Sequence, residues 1–248
     1  MNTIYILWLR QLKRYVRSKT RMIGSLGQPL LFLVALGFGF GPIYQMAGGG
    51  NYLQFLAPGV IAMGILFTSI FMGIEIIWDR QFGFLKETLV APVPRIHIMI
   101  GRTLGGATVA TMQGIIVFLV SLLVGFRPVN WFALPVALLI MFLITLLFTA
   151  LGTAIASRME DMHGFQLIIN FLIMPIFFLS GSLFPLANLP RPLAIISELD
   201  PLSYGIDGLR ATMTNAGHFG LLTDFLVMGV LVVLLFAIGG WMFERIEI

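Results

Sequence analysis

Six apolar blocks, each long enough to cross a lipid bilayer as a helix, restrict this chain to a polytopic α-helical membrane protein. They are Met22–Tyr44, Tyr52–Trp78, Thr103–Phe126, Trp131–Ala156, Phe165–Leu183 and Leu221–Phe243. The hydrocarbon core takes roughly 20 residues of helix. Only helices and closed barrels satisfy every backbone polar group in lipid. The blocks are continuous, without the two-residue alternation of a barrel strand. Apolar residues make up 58% of the chain and charged ones 10%, against about half and a quarter in soluble domains. A soluble core is therefore not what these blocks build.

An even number of spans puts both termini on one side, and Lys and Arg say which. The N-terminus, second loop, fourth loop and C-terminus hold Arg10, Lys13, Arg14, Arg17, Lys19, Arg21, Arg80, Lys86, Arg95, Arg102, Arg158 and Arg245. The other segments hold only Arg127, Arg191 and Arg210. That 12-to-3 division of the 15 basic residues predicts cytoplasmic termini, because Lys and Arg stay inside. The same bias explains the net charge of +4 without nucleic acid. No cleavable signal peptide is expected: Tyr5–Leu9 is too short for an apolar h-region and is followed by basic residues.

Residues 1–21 are expected to form a separate cytoplasmic interface helix, ahead of a transmembrane domain at 22–248. At about 100° per residue, Ile4, Leu7, Trp8, Leu12 and Tyr15 share one face, while Arg10, Lys13, Arg14 and Arg17 share the other. This pattern predicts a basic amphipathic helix lying in the inner interface. On the opposite side, Leu183–Gly220 is long, carries Pro185, Pro190, Pro192 and Pro201, and still contains apolar Leu193–Ile196 and Leu199. A re-entrant or interfacial helical pair, packed against protein, fits that mixture.

Reactive constellations are missing from the sequence. Cysteine is absent, and His97, His163 and His218 fall in no metal-ligand spacing, so neither a metal nor a bound cofactor is expected. There is no Walker A pattern. Gly101-x-x-x-Gly105 reads as a helix-packing notch, and Glu160-Asp161 as a solvated turn. Glu75, near the inner end of the second span, is an ionisable group in a costly place. It is expected to snorkel or to pair with Arg80 or Arg102. Asp79 lies one turn further on the same face, so the two acids repel unless a cation sits between them.

The polar stretch Asp79–Arg102 interrupts the apolar chain. Arg80–Glu87 is expected to form a short helix, with Phe82, Leu85 and Leu89 on one side and charges on the other, stopped by Pro92 and Pro94. Taken alone, this is either an ordinary amphipathic loop or a compact knob for a soluble partner.

Four ordered motifs carry a resemblance. They are Tyr52-Leu53-Gln54-Phe55-Leu56-Ala57-Pro58-Gly59; Glu87-Thr88-Leu89-Val90-Ala91-Pro92-Val93-Pro94; Pro175-Ile176-Phe177-Phe178-Leu179-Ser180-Gly181-Ser182-Leu183-Phe184-Pro185; and Asp200-Pro201-Leu202-Ser203-Tyr204 with Asp207-Gly208-Leu209-Arg210. On a six-span frame with a basic N-terminal helix, they make the chain resemble the permease subunits of ABC-2 type exporters. The branch is that of daunorubicin, nodulation-factor and multidrug exporter permeases, with a type V ABC exporter-like fold. The resemblance implies a homodimer in the bacterial inner membrane, docked to two separate ATP-binding cassette ATPase subunits that bind ATP and Mg. It implies that the chain is not itself an enzyme.

It maps a coupling helix onto Arg80–Pro92, with Arg80, Gly83, Phe84, Leu85, Glu87, Leu89 and Pro92 facing the ATPase. The interface helix maps onto Ile4–Lys19, with Trp8, Arg10, Arg14 and Arg17 as its contact residues. Phe67, Phe71, Phe171, Met174 and Phe178 become candidates for the pathway wall. The implied cargo is an amphipathic drug, a lipid or a related molecule. Export of a polysaccharide or lipid-linked glycan by the same mechanism is the alternative, and an ion-coupled secondary carrier is the alternative of another class.

Overall fold

The computed structural model of the chain describes residues 2–48, 50–90, 92–186 and 189–244. Among them the regular structure is helical, and six helices or helix pairs are long and apolar enough to span a membrane. Near the N-terminus, Asn2–Arg17 form α1. The first span, Met22–Met46, is segmented into the end of α2 (Lys19–Gly24), α3 (Gly27–Leu31), a π-helical turn at Phe32–Leu36 and α4 (Gly37–Met46). Pro29 and Pro42 lie within it. Proline removes a backbone donor and crowds the preceding turn, which accounts for a span that is not one ideal helix.

The second span, Tyr52–Gln81, is the most buried of the six. It comprises α5 (Tyr52–Phe71), opened by Asn51, whose side chain accepts from the Leu53 amide, and α6 (Ile74–Gln81). Their junction lies where Gly73 meets Gly152. A Cβ on Gly73 would collide with the Gly152 carbonyl oxygen, and one on Gly152 would sit 2.6 Å from that of Ile70. Small residues let the two backbones touch, as helices in lipid require.

Gly83, at φ +80°, ends the second span and starts α7 (Phe84–Val90). The third span is α8 (Arg95–Val124), ended by left-handed Gly125, and the fourth is α9 (Leu134–Ser157). The fifth is α10 (Met162–Leu179), N-capped by Asp161. The short pair α11 (Arg191–Leu199) and α12 (Pro201–Thr214) precedes the last span, α13 (Leu221–Glu244).

Helix α5 is the axis, enclosed by α8, α9, α12 and the first span, with α13 packed on α8 and α9. Its residues Leu56, Ile61, Ile65, Leu66 and Ile70 are fully buried against Ile144, Leu147 and Phe148 of α9 and Val117 of α8. Helix α10 leans away. It buries Phe165, Ile169, Ile173 and Phe177, one side of the helix, and exposes Leu167, Phe171, Met174 and Phe178 on another.

The all-α frame and the six spans are as the apolar blocks predict, with shifted ends. The third span begins at Arg95, eight residues earlier than Thr103, and the fifth closes at Leu179, so Ser180–Leu183 form a turn instead of a helix end. The polar interruption is correspondingly shorter. Asp79 and Arg80 belong to α6, and Arg95–Arg102 to α8, because a helix can carry polar residues past the hydrocarbon without losing backbone bonds.

Candidate coupling site

Helix α1 does not simply lie on lipid with its apolar face. It runs along α8. A Cβ on Gly101 would meet the Ile4 carbonyl and the Leu7 side chain at 3.0 Å, and one on Gly105 would meet the Gln11 side chain at 2.7 Å. These two glycines are the notch that Gly101-x-x-x-Gly105 anticipates, and α1 fills it. Further along, the Trp8 indole N–H donates to Thr108 Oγ1 at 3.0 Å, and the Tyr15 hydroxyl donates to Gln113 Oε1 at 2.6 Å. Leu7 and Tyr15 are buried, whereas Tyr5, Ile6 and Val16 are exposed.

Two charged rungs tie α1 to the second span. Arg10 reaches Asp79 at 3.4 Å, and Arg14 reaches Glu75 at 3.5 Å. The spacing of four on each helix, read in opposite directions, makes the rungs match. Asp79 also accepts from Arg102 Nη2 of α8 at 2.5 Å. Glu75 and Asp79 are both buried, at 3% and 5% exposure. Buried carboxylates need paired cations to remain charged, and three arginines from two other helices supply them. Glu75 thus pairs with Arg14, a partner the expectation did not include, while Arg102, one of its expected partners, donates to the neighbouring Asp79. The missed signal is the matching four-residue spacing of Arg10/Arg14 and Glu75/Asp79.

Arg80 is placed differently from its expected position on a coupling helix. It sits in α6, and its guanidinium donates to the carbonyls of Met159 at 2.8 Å and Ser157 at 3.0 Å. It thus caps the end of α9, where carbonyls lack intrahelical donors and a cation is favoured. Trp78 lies beside it, over the start of α10, with its indole N–H directed at the Met162 sulfur, and Arg14 stacks on its ring at 5.9 Å.

Beyond Gly83 the chain turns away into α7. Phe82, Phe84 and Val90 are 73%, 52% and 80% exposed, and Glu87 and Pro92 are exposed with them. The side chains of Leu85 and Leu89 lie outside the described residues. An apolar, charge-flecked helical knob thus projects from the end of the molecule where α1, α6 and the α9–α10 turn converge. Arg10, Arg14 and Arg17 are exposed on the same α1, with Lys13.

The five candidate pathway residues do not come together in one chain. Phe67 and Phe71 line a cleft of 280 Å³ with Tyr15, Gln28, Met63 and Thr68. Phe171, Met174 and Phe178 instead point outward from α10, Phe171 at 84% exposure. The link between the two groups is Phe177, whose ring lies 6.3 Å from that of Phe67 and 5.3 Å from that of Phe178.

A six-span bundle with an ion-paired amphipathic helix and a projecting knob at one end is the architecture of a multi-pass membrane protein. The chain belongs to the ABC-2 type transporter family, whose model matches residues 2–214. It is similar to Nodulation protein J of Rhizobium leguminosarum bv. viciae, at 29% identity over 85% of this chain and 84% of that one. It is similar to the Inner membrane transport permease YadH of Escherichia coli K12, at 26% identity over 96% and 93%. It is also similar to the transport permease ycf38 of Porphyra purpurea, at 30% identity over 80% and 69%.

Proposed function

We propose that this chain is the membrane half of an ATP-driven exporter in the bacterial inner membrane. It works as a homodimer with one ATP-binding cassette ATPase docked on each copy. The observation that carries the reading is the exposed knob of α7 beside the ion-paired α1–α6 junction. Exposed Phe82, Phe84 and Val90 form an anchor of the kind that fills a partner's pocket. The twelve-to-three placement of Lys and Arg argues that this end is cytoplasmic, where a soluble ATPase is available.

Motion received at α7 passes through Gly83 into α6, and from there to three helices at once. Asp79 and Glu75 engage α1 and α8, and Arg80 engages the end of α9. A push on the knob therefore moves a clamped group, which suits a switch between inward and outward access. In this reading ATP and Mg bind the partner, and this chain supplies no nucleotide site. The outward strip Phe171, Met174 and Phe178 on α10 meets a second copy, and the two strips with Phe67 and Phe71 enclose the pathway. Aromatic and Met side chains give adaptable contact to a bulky amphipathic cargo, such as a drug or a lipid.

The test is purification with the native neighbouring proteins. A soluble ATPase should co-elute, and replacing Gly83 or Glu87 should leave its ATP hydrolysis running while transport falls. Transport by the permease alone, driven by a pH gradient, would overturn the reading.

A further inference from the structure

Arg210 lies at the end of the bundle remote from the coupling site, on α12, and is 6% exposed. One guanidinium nitrogen, Nη2, donates to the Gly181 carbonyl at 2.7 Å and reaches the carbonyls of Ser182 and Phe55 at 3.4 Å each. Its plane rests 3.8 Å from the Phe55 ring centroid. Gly181 and Ser182 form the turn that leaves the fifth span, and Phe55 belongs to α5. One side chain therefore joins α12, α5 and the end of α10.

The turn has little other freedom. A Cβ on Gly59 would collide with the Ser182 carbonyl oxygen, so the α5 backbone and the turn are in direct contact. The Tyr52 hydroxyl donates to the Leu183 carbonyl at 3.0 Å. The hydroxyls of Ser180 and Ser182 both donate to the Phe177 carbonyl at 2.8 Å, and Ser197 of α11 donates to that of Leu179 at 2.7 Å. The carbonyls at the end of α10 lack helical donors, and a buried cationic donor is a strong substitute. Asp207, one turn before Arg210, has its carboxylate oxygens engaged by the amides of His218 and Phe219 at 2.6 and 2.8 Å. Burial lowers the Arg210 pKa to about 10, which still leaves the group charged at neutral pH.

We infer that Arg210 is a latch: it holds the end of the fifth span closed on the second span at rest, and opening of the pathway at this end draws Gly181 and Ser182 off its guanidinium. The inference rests on the proposed ATP-driven function for the driver of that opening. Arg210 is a positioning residue, acting through the turn and not through contact with cargo. The attachment suits a reversible part, because the latch binds neutral backbone acceptors on a neighbouring element and can leave them without stranding a buried carboxylate.

The chain has no cysteine, so a single S182C reports the turn without background. Ser182 is fully buried. The permease with its ATPase is placed in vesicles and labelled with a membrane-impermeant maleimide. S182C should label slowly without ATP and about tenfold faster with it. Adding R210Q should give the fast rate without ATP, and R210K, which keeps the charge but not the planar guanidinium that rests on Phe55, an intermediate one. S69C, fully buried two residues before the end of α5 and well inside the second span, should stay slow in every background. Equal S182C rates with Arg210 and R210Q, or a fast rate at rest with Arg210 intact, overturn the latch. A parallel rise at S69C also overturns it, by assigning Arg210 to the fold as a whole. Fast labelling in R210Q alone, with no ATP effect on the parent, keeps the latch and rejects the ATP-driven reading.

Discussion

Arg14 Nη1 lies 3.5 Å from Glu75 Oε2, and one turn away on each helix Arg10 lies 3.4 Å from Asp79. The two contacts form a ladder between a half-exposed basic face and two buried acids. Removing a cation leaves a buried carboxylate short of its counter-charge, while the exposed arginine side is weakened by solvent. R14E should lower stability by about 1–2 kcal/mol. Adding E75R should recover part of that loss, because the pair is restored with reversed polarity. Thermal unfolding of the four proteins in one detergent gives the coupling, and strictly additive effects would reject the ladder.

The crossing of α5/α6 with α9 at Gly73 and Gly152 leaves no room for a methyl group. G152A places its Cβ only 2.6 Å from the Ile70 carbonyl oxygen. Overpacking of this kind costs about 1–3 kcal/mol. Gly229 of α13 has nothing within 4 Å of the place a methyl group would occupy, so G229A should be neutral or stabilise by up to about 1 kcal/mol. Equal melting temperatures for the two variants would contradict the crossing.

Phe82 and Phe84 are exposed. Truncating both to Ala should therefore leave the permease's own melting curve in place while weakening capture of the ATPase. Loss of an aromatic anchor is worth about 2 kcal/mol or more at an interface, over tenfold in Kd. Titration of the solubilised permease with the purified ATPase measures it, and an unchanged Kd would remove α7 as the docking knob.

Asp200 caps α12 through the Leu202 amide at 2.9 Å, and burial raises its pKa to about 7. The folded chain therefore holds a proton that the unfolded chain gives up near the ordinary value of 3.8. Stability from this group is full below pH 4 and declines as pH rises to about 7. D200N keeps a capping oxygen and carries no charge. It should be the more stable protein at pH 8, by up to a few kcal/mol for a shift of this size, with the gap closing toward pH 4. A pH-independent difference between the two would refute the assignment.

Much of this architecture is legible in the chain because it depends on local quantities. Apolar length locates the spans, Gly101 and Gly105 announce a helix seat, and Pro92 with Pro94 mark the end of α7. The pathway candidates show the limit. The resemblance selects Phe67, Phe171 and Phe178 alike, but the rotation of α5 and α10 sends the first toward Phe177 and a cleft and Phe171 outward. Arg80 shows it again. Nothing near it in sequence indicates that its partners are the carbonyls of Ser157 and Met159, 77 and 79 residues away.

By itself, then, the sequence determined a six-span helical membrane protein with a basic N-terminal helix and a proline-stopped knob. Lipid forces that answer, since each span must satisfy its own backbone and its length and hydropathy are local. Which arginine meets which acid, where α1 is seated, and that Arg210 grips the turn after the fifth span were decided only by the tertiary structure. Those contacts join residues as much as 155 positions apart, and side-chain directions set by helix packing choose them.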